Sequence, residues 1–339
     1  MKIRLTLSVV IAVSAVLFGA CALFAADSVV SGDNAGAHMQ GIDRVETIVY
    51  GSSQSGGLLP RLSRVEKDLF GRELPGSLTE RQQALQDFLE NGTTTQPPLL
   101  FKLAVAEWIT FRKTHPTYPM RDRVNGLEKT LEDQLQSGAL TARLERVLAK
   151  LLPGGVTANN IQVPAHTVMK AKFSQTLTVR NVKKGDRIEL ELVEDCVLNG
   201  ILAAPAGNRV FAEVTKVKMP RSFGRPSEIG VQFNNVEALD GHMAAVYIGD
   251  AAKKAMEIDS GAVGAGAASI FGAVLIGPVG LAGGFLVRGN DKQIAAGTLA
   301  YVETTEQSGV LGFQVPNSMN AAESEALAPQ GAVQQNPPN

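Results

Sequence analysis

Residues 45–61 read VETIVYGSSQSGGLLPR, residues 65–81 read VEKDLFGRELPGSLTER, and residues 127–143 read LEKTLEDQLQSGALTAR. Each phrase opens on Val or Leu followed by Glu, and a glycine comes eleven residues after that Val or Leu. A Leu and an Arg follow at fixed offsets, giving Gly56/Leu58/Arg61, Gly76/Leu78/Arg81 and Gly138/Leu140/Arg143. The first two copies carry Tyr50-Gly51 and Phe70-Gly71; the third has Glu132-Asp133 there. A unit that recurs in this way reads as a supersecondary element burying its apolar face on its neighbours. Leu140, Leu144, Val147, Leu148 and Leu151 fall on one face of an α-helix, and Leu62, Val65 and Leu69 form the same stripe earlier. The aromatic-Gly pairs read as helix ends, with glycine supplying the left-handed terminal conformation. Residues 99–114 read as a further helix carrying Trp108, with prolines on both sides.

These elements make a helical repeat module over residues 38–152. Arg61, Arg81 and Arg143 have three readings: caps on helix carboxyl ends, partners of the recurrent glutamates, or an exposed stripe for an anionic polymer. Residues 27–152 hold 15 basic and 16 acidic side chains, which argues against a broad basic surface. The phrase resembles short repeats of Arg-Leu-x-x-Leu-Glu followed by Phe/Tyr-Gly in uncharacterised envelope proteins of cyanobacteria and double-membraned Firmicutes. That resemblance implies an envelope setting and carries no assigned catalysis.

After Pro153-Gly154-Gly155 the period changes to two. Met169, Ala171 and Phe173 alternate with lysines, Ile188, Leu190 and Leu192 with glutamates, and Ile229, Val231 and Phe233 with Gly230 and Gln232. This is the pattern of half-buried antiparallel strands, and their spacing predicts a small barrel or sandwich over 160–305. Turns are marked at Lys184-Gly185-Asp186, Ala206-Gly207-Asn208 and Asp240-Gly241. A small-residue phrase precedes several strands, at 163–167, 204–208 and 294–298. The last copy predicts that residues 292–305 return a strand to the same sheet. The order resembles the β-barrel subunit of type IV secretion channels, in which a membrane-crossing helical pair is inserted before the last strands.

Residues 261–287 are 27 positions without an ionisable side chain, bounded by Asp259 and Arg288. Gly264, Ala268 and Gly272 lie four apart, and Gly280 and Gly284 continue the spacing. Small residues at that interval let helix backbones approach closely. Gly277-Pro278 favours a break, which predicts a helical hairpin inserted in the β domain. A continuous helix of this length spans a bilayer; a broken one inserts partly or packs against copies of the chain. The alternative is a glycine-rich helical pair buried in a soluble core. The expected fold class is therefore α+β.

The amino terminus has Lys2 and Arg4 as its only charges before Asp27, then an apolar run over residues 5–18, then small residues. That is the layout of a secretory signal peptide over 1–26. Cleavage fits Ala20-Cys21-Ala22 or Ala25-Ala26, and Phe18-Gly19-Ala20-Cys21 also fits a lipidation box that would attach lipid to Cys21. Either way the chain is expected in the periplasm or cell envelope, associated with membrane. With cleavage after Ala22 or later, Cys196 is the remaining thiol.

The net charge of -1 excludes a strongly basic nucleic-acid binder. His38, His115, His166 and His242 show no metal-ligand spacing, no Gly-x-Ser-x-Gly or His-Glu-x-x-His occurs, and no phosphate-binding glycine loop is present. No enzyme, cofactor, catalytic residue or metal is expected. The expected function is a structural or scaffolding envelope protein, anchored or assembled through 261–287, with other envelope proteins met through the helical repeats. The alternatives are a subunit of an oligomeric envelope channel and a wall-polymer hydrolase with two unsignposted carboxylates. Residues 316–339, rich in Ala, Gln, Asn and Pro, are expected to be a disordered tail.

Overall fold

The computed structural model of the chain describes residues 32–219, 227–262, 274–275, 284–289 and 293–316. The fold is α+β, with an amino-terminal helical module followed by antiparallel β structure. Residues 1–26, expected to be a signal peptide, with Cys21, and the tail from residue 317 lie outside the described residues.

Six helices form the first module: α1 (Gly32–Tyr50), α2 (Leu58–Phe70), α3 (Leu78–Glu90), α4 (Leu99–Phe111), α5 (Met120–Glu132) and α6 (Leu140–Leu151). Their stripes meet in one core containing Leu62, Val65, Leu69, Leu140, Leu144, Val147 and Leu148. Nearly every residue of α4 from Leu99 to Trp108 is buried or packed on this core, as expected of a helix surrounded by others.

The repeated residues close the helix–helix loops. In each copy the glutamate near the end of one helix takes a two-pronged ion pair from the arginine in the first turn of the next. Arg61 Nη2 lies 2.5 Å from Glu46, Arg81 Nη2 2.5 Å from Glu66, and Arg143 Nη2 2.5 Å from Glu128, each with a second bond through Nε. The same carboxylates accept backbone N–H groups from the loops, at Gln54 (2.7 Å), Leu74 (3.2 Å) and Gln136 (3.0 Å). Cationic arginine in a first turn opposes the helix dipole, so it is pairing across the loop that holds it there. Of the three readings of these arginines, the structure selects pairing with glutamate. Arg61 and Arg143 are buried and Arg81 is half-buried, which removes them from any exposed anion-binding stripe.

A fourth clasp joins α4 to α5. Arg123 pairs with Glu107 at 2.7 Å, and Glu107 accepts the His115 N–H at 3.1 Å. Here the loop is one residue longer, and Arg112 (φ 56°) occupies the left-handed position that Gly51 and Gly71 fill elsewhere. Asp133 (φ 58°) does the same in the copy that lacks the aromatic-Gly pair, so the helix end survives the change of residue.

Twelve strands follow among the described residues. A closed barrel runs β6 (Arg209–Lys218), β3 (Arg187–Leu192), β2 (Val168–Phe173), β11 (Leu299–Thr304), β8 (Met243–Tyr247), β7 (Ser227–Glu237) and back to β6, every pair antiparallel. Bulges in the β6–β7 ladder at Phe211/Ala212 and Val214/Lys216 add the local bend that closure needs. The inward positions of the alternating strands, including Phe173, Leu190, Val214, Val231 and Val302, fill the interior. The return of a strand by residues 292–305 is seen directly in β11, which pairs with β2 and β8.

A second sheet, ordered β1 (Asn159–Val163), β12 (Ser308–Gln314), β5 (Ile201–Ala204) and β4 (Cys196–Leu198), lies between the two cores. Period two explains its position. Leu202 and Phe313 join the helical core, while Ala203 and Val310 join the barrel core. The β4–β5 hairpin turns on Asn199-Gly200, both at positive φ (52° and 77°), the pair favoured in two-residue hairpins. Buried Cys196 opens β4; burial and then the charge of Asp195 push its thiol up to about 11.

The glycine-rich stretch departs from the expected helical hairpin where it is described. After β8 comes α7 (Asp250–Ala262), but Val274–Leu275 (β9) and Gly284–Gly289 (β10) are strands. β10 pairs antiparallel with β7, Gly284 opposite Gln232 and Gly289 opposite Ser227, and β9 pairs with β10. The helical assignment is corrected at 274–275 in the first arm and at 284–287 in the second: the free edge of β7 supplies a ladder for β10, and β10 one for β9, that helical arms could not use.

Candidate anchoring and assembly site

The glycine-rich insertion is rooted on the barrel through α7 and β10. α7 packs on β11 and β2 and is held at both ends by polar clamps. At its start, Glu303 of β11 is buried and accepts the Ala252 N–H at 2.7 Å, a helix-end donor that would otherwise be orphaned. The second oxygen of Glu303 lies 2.9 Å from His166 Nδ1, and Tyr247 adds a hydroxyl. Burial raises the Glu303 carboxyl, but His166, the Ala252 N–H and Tyr247 outweigh it and hold the group below the usual carboxylate range. Gly249 is required beside this clamp, because a Cβ there would collide with the Glu303 carboxylate. His166 stands at φ 61° in the 163–167 turn; Gly207 and Gly297 take the same left-handed position in the two related phrases.

Near the other end of α7, Asp259 lies 2.9 Å from Lys170 Nζ and accepts the Tyr301 hydroxyl. The Lys170 ammonium stands 5.6 Å from the centre of the Tyr301 ring. Tyr301 and then Lys170 lower the Asp259 carboxyl, while burial and Asp259 raise the Tyr301 phenol. Desolvation works against the charged Lys170, yet Asp259 and Tyr301 leave its ammonium more firmly protonated than usual. The two clamps thus connect α7 to β2, β8 and β11 before the chain enters the uncharged stretch.

Of the residues singled out in the sequence, Gly284 falls in β10; Gly264, Ala268, Gly272 and Gly280 lie outside the described residues, as does Cys21. The row of small residues therefore does not continue to Gly284 as a helical face. The clamp residues were not foreseen, apart from Asp259 as a boundary. Glu303 and His166 are 137 positions apart, and no local motif signals such a pair. Among the described residues no group of three or more His, Cys, Asp or Glu is arranged to hold a metal, and no helix is long and apolar enough to cross a membrane. No protein-family model matches this sequence, and no curated protein matches it.

Proposed function

We propose that this chain is a non-catalytic, exported cell-envelope protein that is anchored in a membrane, or assembled with copies of itself, through residues 261–287. The observation that carries the reading is the uncharged run itself: it leaves a clamped helix, α7, and returns as β10 on a closed barrel. A rigid body that holds both ends of an apolar insertion is suited to presenting it to lipid or to a second copy. The helical module, its loops closed by buried ion pairs, serves as spacer and as the meeting surface for other envelope proteins. Residues 1–26 direct export, with Cys21 as the candidate lipidation site. The second reading is a subunit of an oligomeric envelope channel, favoured by the position of the insertion between β8 and the returning strand β11.

Membrane fractionation with crosslinking, on wild type and on the Gly264→Leu/Gly272→Leu double variant, tests this. Larger side chains raise lipid affinity but prevent close backbone approach. A simple anchor stays in the membrane fraction and loses no crosslinks. An assembling segment stays in the membrane and loses its crosslinked oligomers. A wild-type chain that is wholly soluble after lysis without detergent overturns both forms.

A further inference from the structure

The fourth clasp loop differs from the others at one position that bears on binding. Counting back five from the clasp arginine, the other three loops have Gly56, Gly76 and Gly138; the α4–α5 loop has Tyr118. Tyr118 is 60% exposed and stands in the wall of a cleft of about 1080 Å³ between the helical module and the barrel. That is at the upper end of the volumes typical of ligand clefts, large enough for an oligomer.

The Tyr118 ring is pre-ordered. It lies parallel to the His115 ring, 5.7 Å between centres and 8° between planes, and His115 meets Phe111 edge-on at 5.7 Å. The Tyr118 N–H donates to the His115 carbonyl at 3.0 Å, and the His115 N–H is fixed to Glu107 of the clasp. The offset imidazole and the backbone bond hold the ring in place, so it forms a flat platform at little entropic cost to a ligand.

The cationic charges of the walls are already used within the protein. Arg44 pairs with Glu90 at 2.6 Å, Arg123 with Glu107 at 2.7 Å, and Arg209 with Glu237 at 2.8 Å. The Asp240 carboxylate accepts the N–H groups of His242 and Leu311. No lining arginine is left to recruit a phosphate or a polyanion. What the described walls do leave without a hydrogen bond are the Thr117 and Tyr118 hydroxyls, the His242 ring and the exposed Glu189 carboxylate, which acts on Arg209 through charge alone. An aromatic platform flanked by unused hydroxyls, an imidazole and one acceptor carboxylate, with no free cation, matches a sugar ring, which has an apolar C–H face and a rim of hydroxyls that can donate to such acceptors.

We propose that this cleft binds an uncharged oligosaccharide, with one pyranose ring stacked on Tyr118. The proposal stands on the cleft alone and is unaffected by the fate of the 261–287 reading. Titration calorimetry on the full-length chain in mild detergent tests it, with the tetramers of N-acetylglucosamine and of glucose as probes and tetra-alanine as the peptide comparison. At least one saccharide should bind. Tyr118→Ala should weaken it tenfold or more, about 1.4 kcal/mol, while Tyr118→Trp keeps the platform and most of the affinity. Because Tyr118 is exposed, neither variant should change the melting temperature. The proposal is overturned if neither saccharide binds at about 10 mM, near a millimolar floor of weak affinity. It is equally overturned if Tyr118→Ala binds as wild type does, or if tetra-alanine binds and the saccharides do not.

Discussion

The buried glutamates of the helical module show how one residue can be required in several directions at once. Glu128 is fully buried, takes both prongs of Arg143, and accepts the Gln136 N–H from the middle of the loop. Removing either partner leaves a charge in the core without compensation, at a cost of about 3–5 kcal/mol. Glu128→Ala and Arg143→Ala should each destabilise the chain by that amount in urea unfolding. The double variant should cost much less than the sum, because no orphaned charge remains. Lys102–Glu145, a solvated pair at 2.7 Å, serves as the contrast and should contribute about 1 kcal/mol or less. Strict additivity at Glu128 and Arg143 would show that the pair is not coupled. The glutamate-arginine pairing was one of the readings open in the repeat, since both residue types recur at constant offset. The fourth pair, Glu107 with Arg123, was not legible: its loop has an extra residue, and Arg112 replaces the glycine that marked the helix end.

At the scale of elements, the periodicities were the informative signal. The stripe of Leu140, Leu144, Val147 and Leu148 faces the core throughout, and Leu144 has no exposure. Leu144→Asp should therefore strip α6 from the module. An unpaired carboxylate in that site costs several kcal/mol, whether charged or neutralised. Circular dichroism melting should show lost helicity and a lower transition; an unchanged melt would mean that the stripe is exposed. The strands over 168–173 and 187–192 were equally legible, because their alternation leaves one face for the barrel interior; in β7 the alternation of Ile229, Val231 and Phe233 gave the strand, although residues 227–231 are buried on both faces. The glycine-rich stretch was not. A run of small and β-branched apolar residues satisfies helical spacing and strand propensity alike, and only the available edge of β7 makes residues 284–289 a strand.

For the molecule as a whole, the decisive contact is where the α4–α5 loop meets the barrel. Gly207, at φ 89°, lies so close to the Thr114 carbonyl that no Cβ fits. Around it, Thr114 N–H donates to Ala206 at 2.9 Å, and Trp108 Nε1 donates to Asp195 at 2.7 Å. Gly207→Val should force the modules apart. The single tryptophan, Trp108, reports the event: its emission should shift to the red, and unfolding should separate into two transitions. Gly241→Ala, at φ 82° with open space around it, imposes similar backbone strain without the collision and should leave the emission unchanged. An unchanged emission in Gly207→Val would remove this contact as the link between modules. The sequence by itself determined the α+β class, the helical repeat, the alternating strands and the return of the 292–305 strand, because these rest on local spacing and on which faces are apolar. Tertiary structure alone decided that the strands close into a barrel, that the β4–β5 hairpin serves two cores at once, and that Glu303, His166, Lys170 and Asp259 meet around α7. Those outcomes depend on pairings between residues far apart in the chain. Their energy comes from burial and hydrogen-bond satisfaction once the elements meet, and no local pattern records which distant partner will supply it.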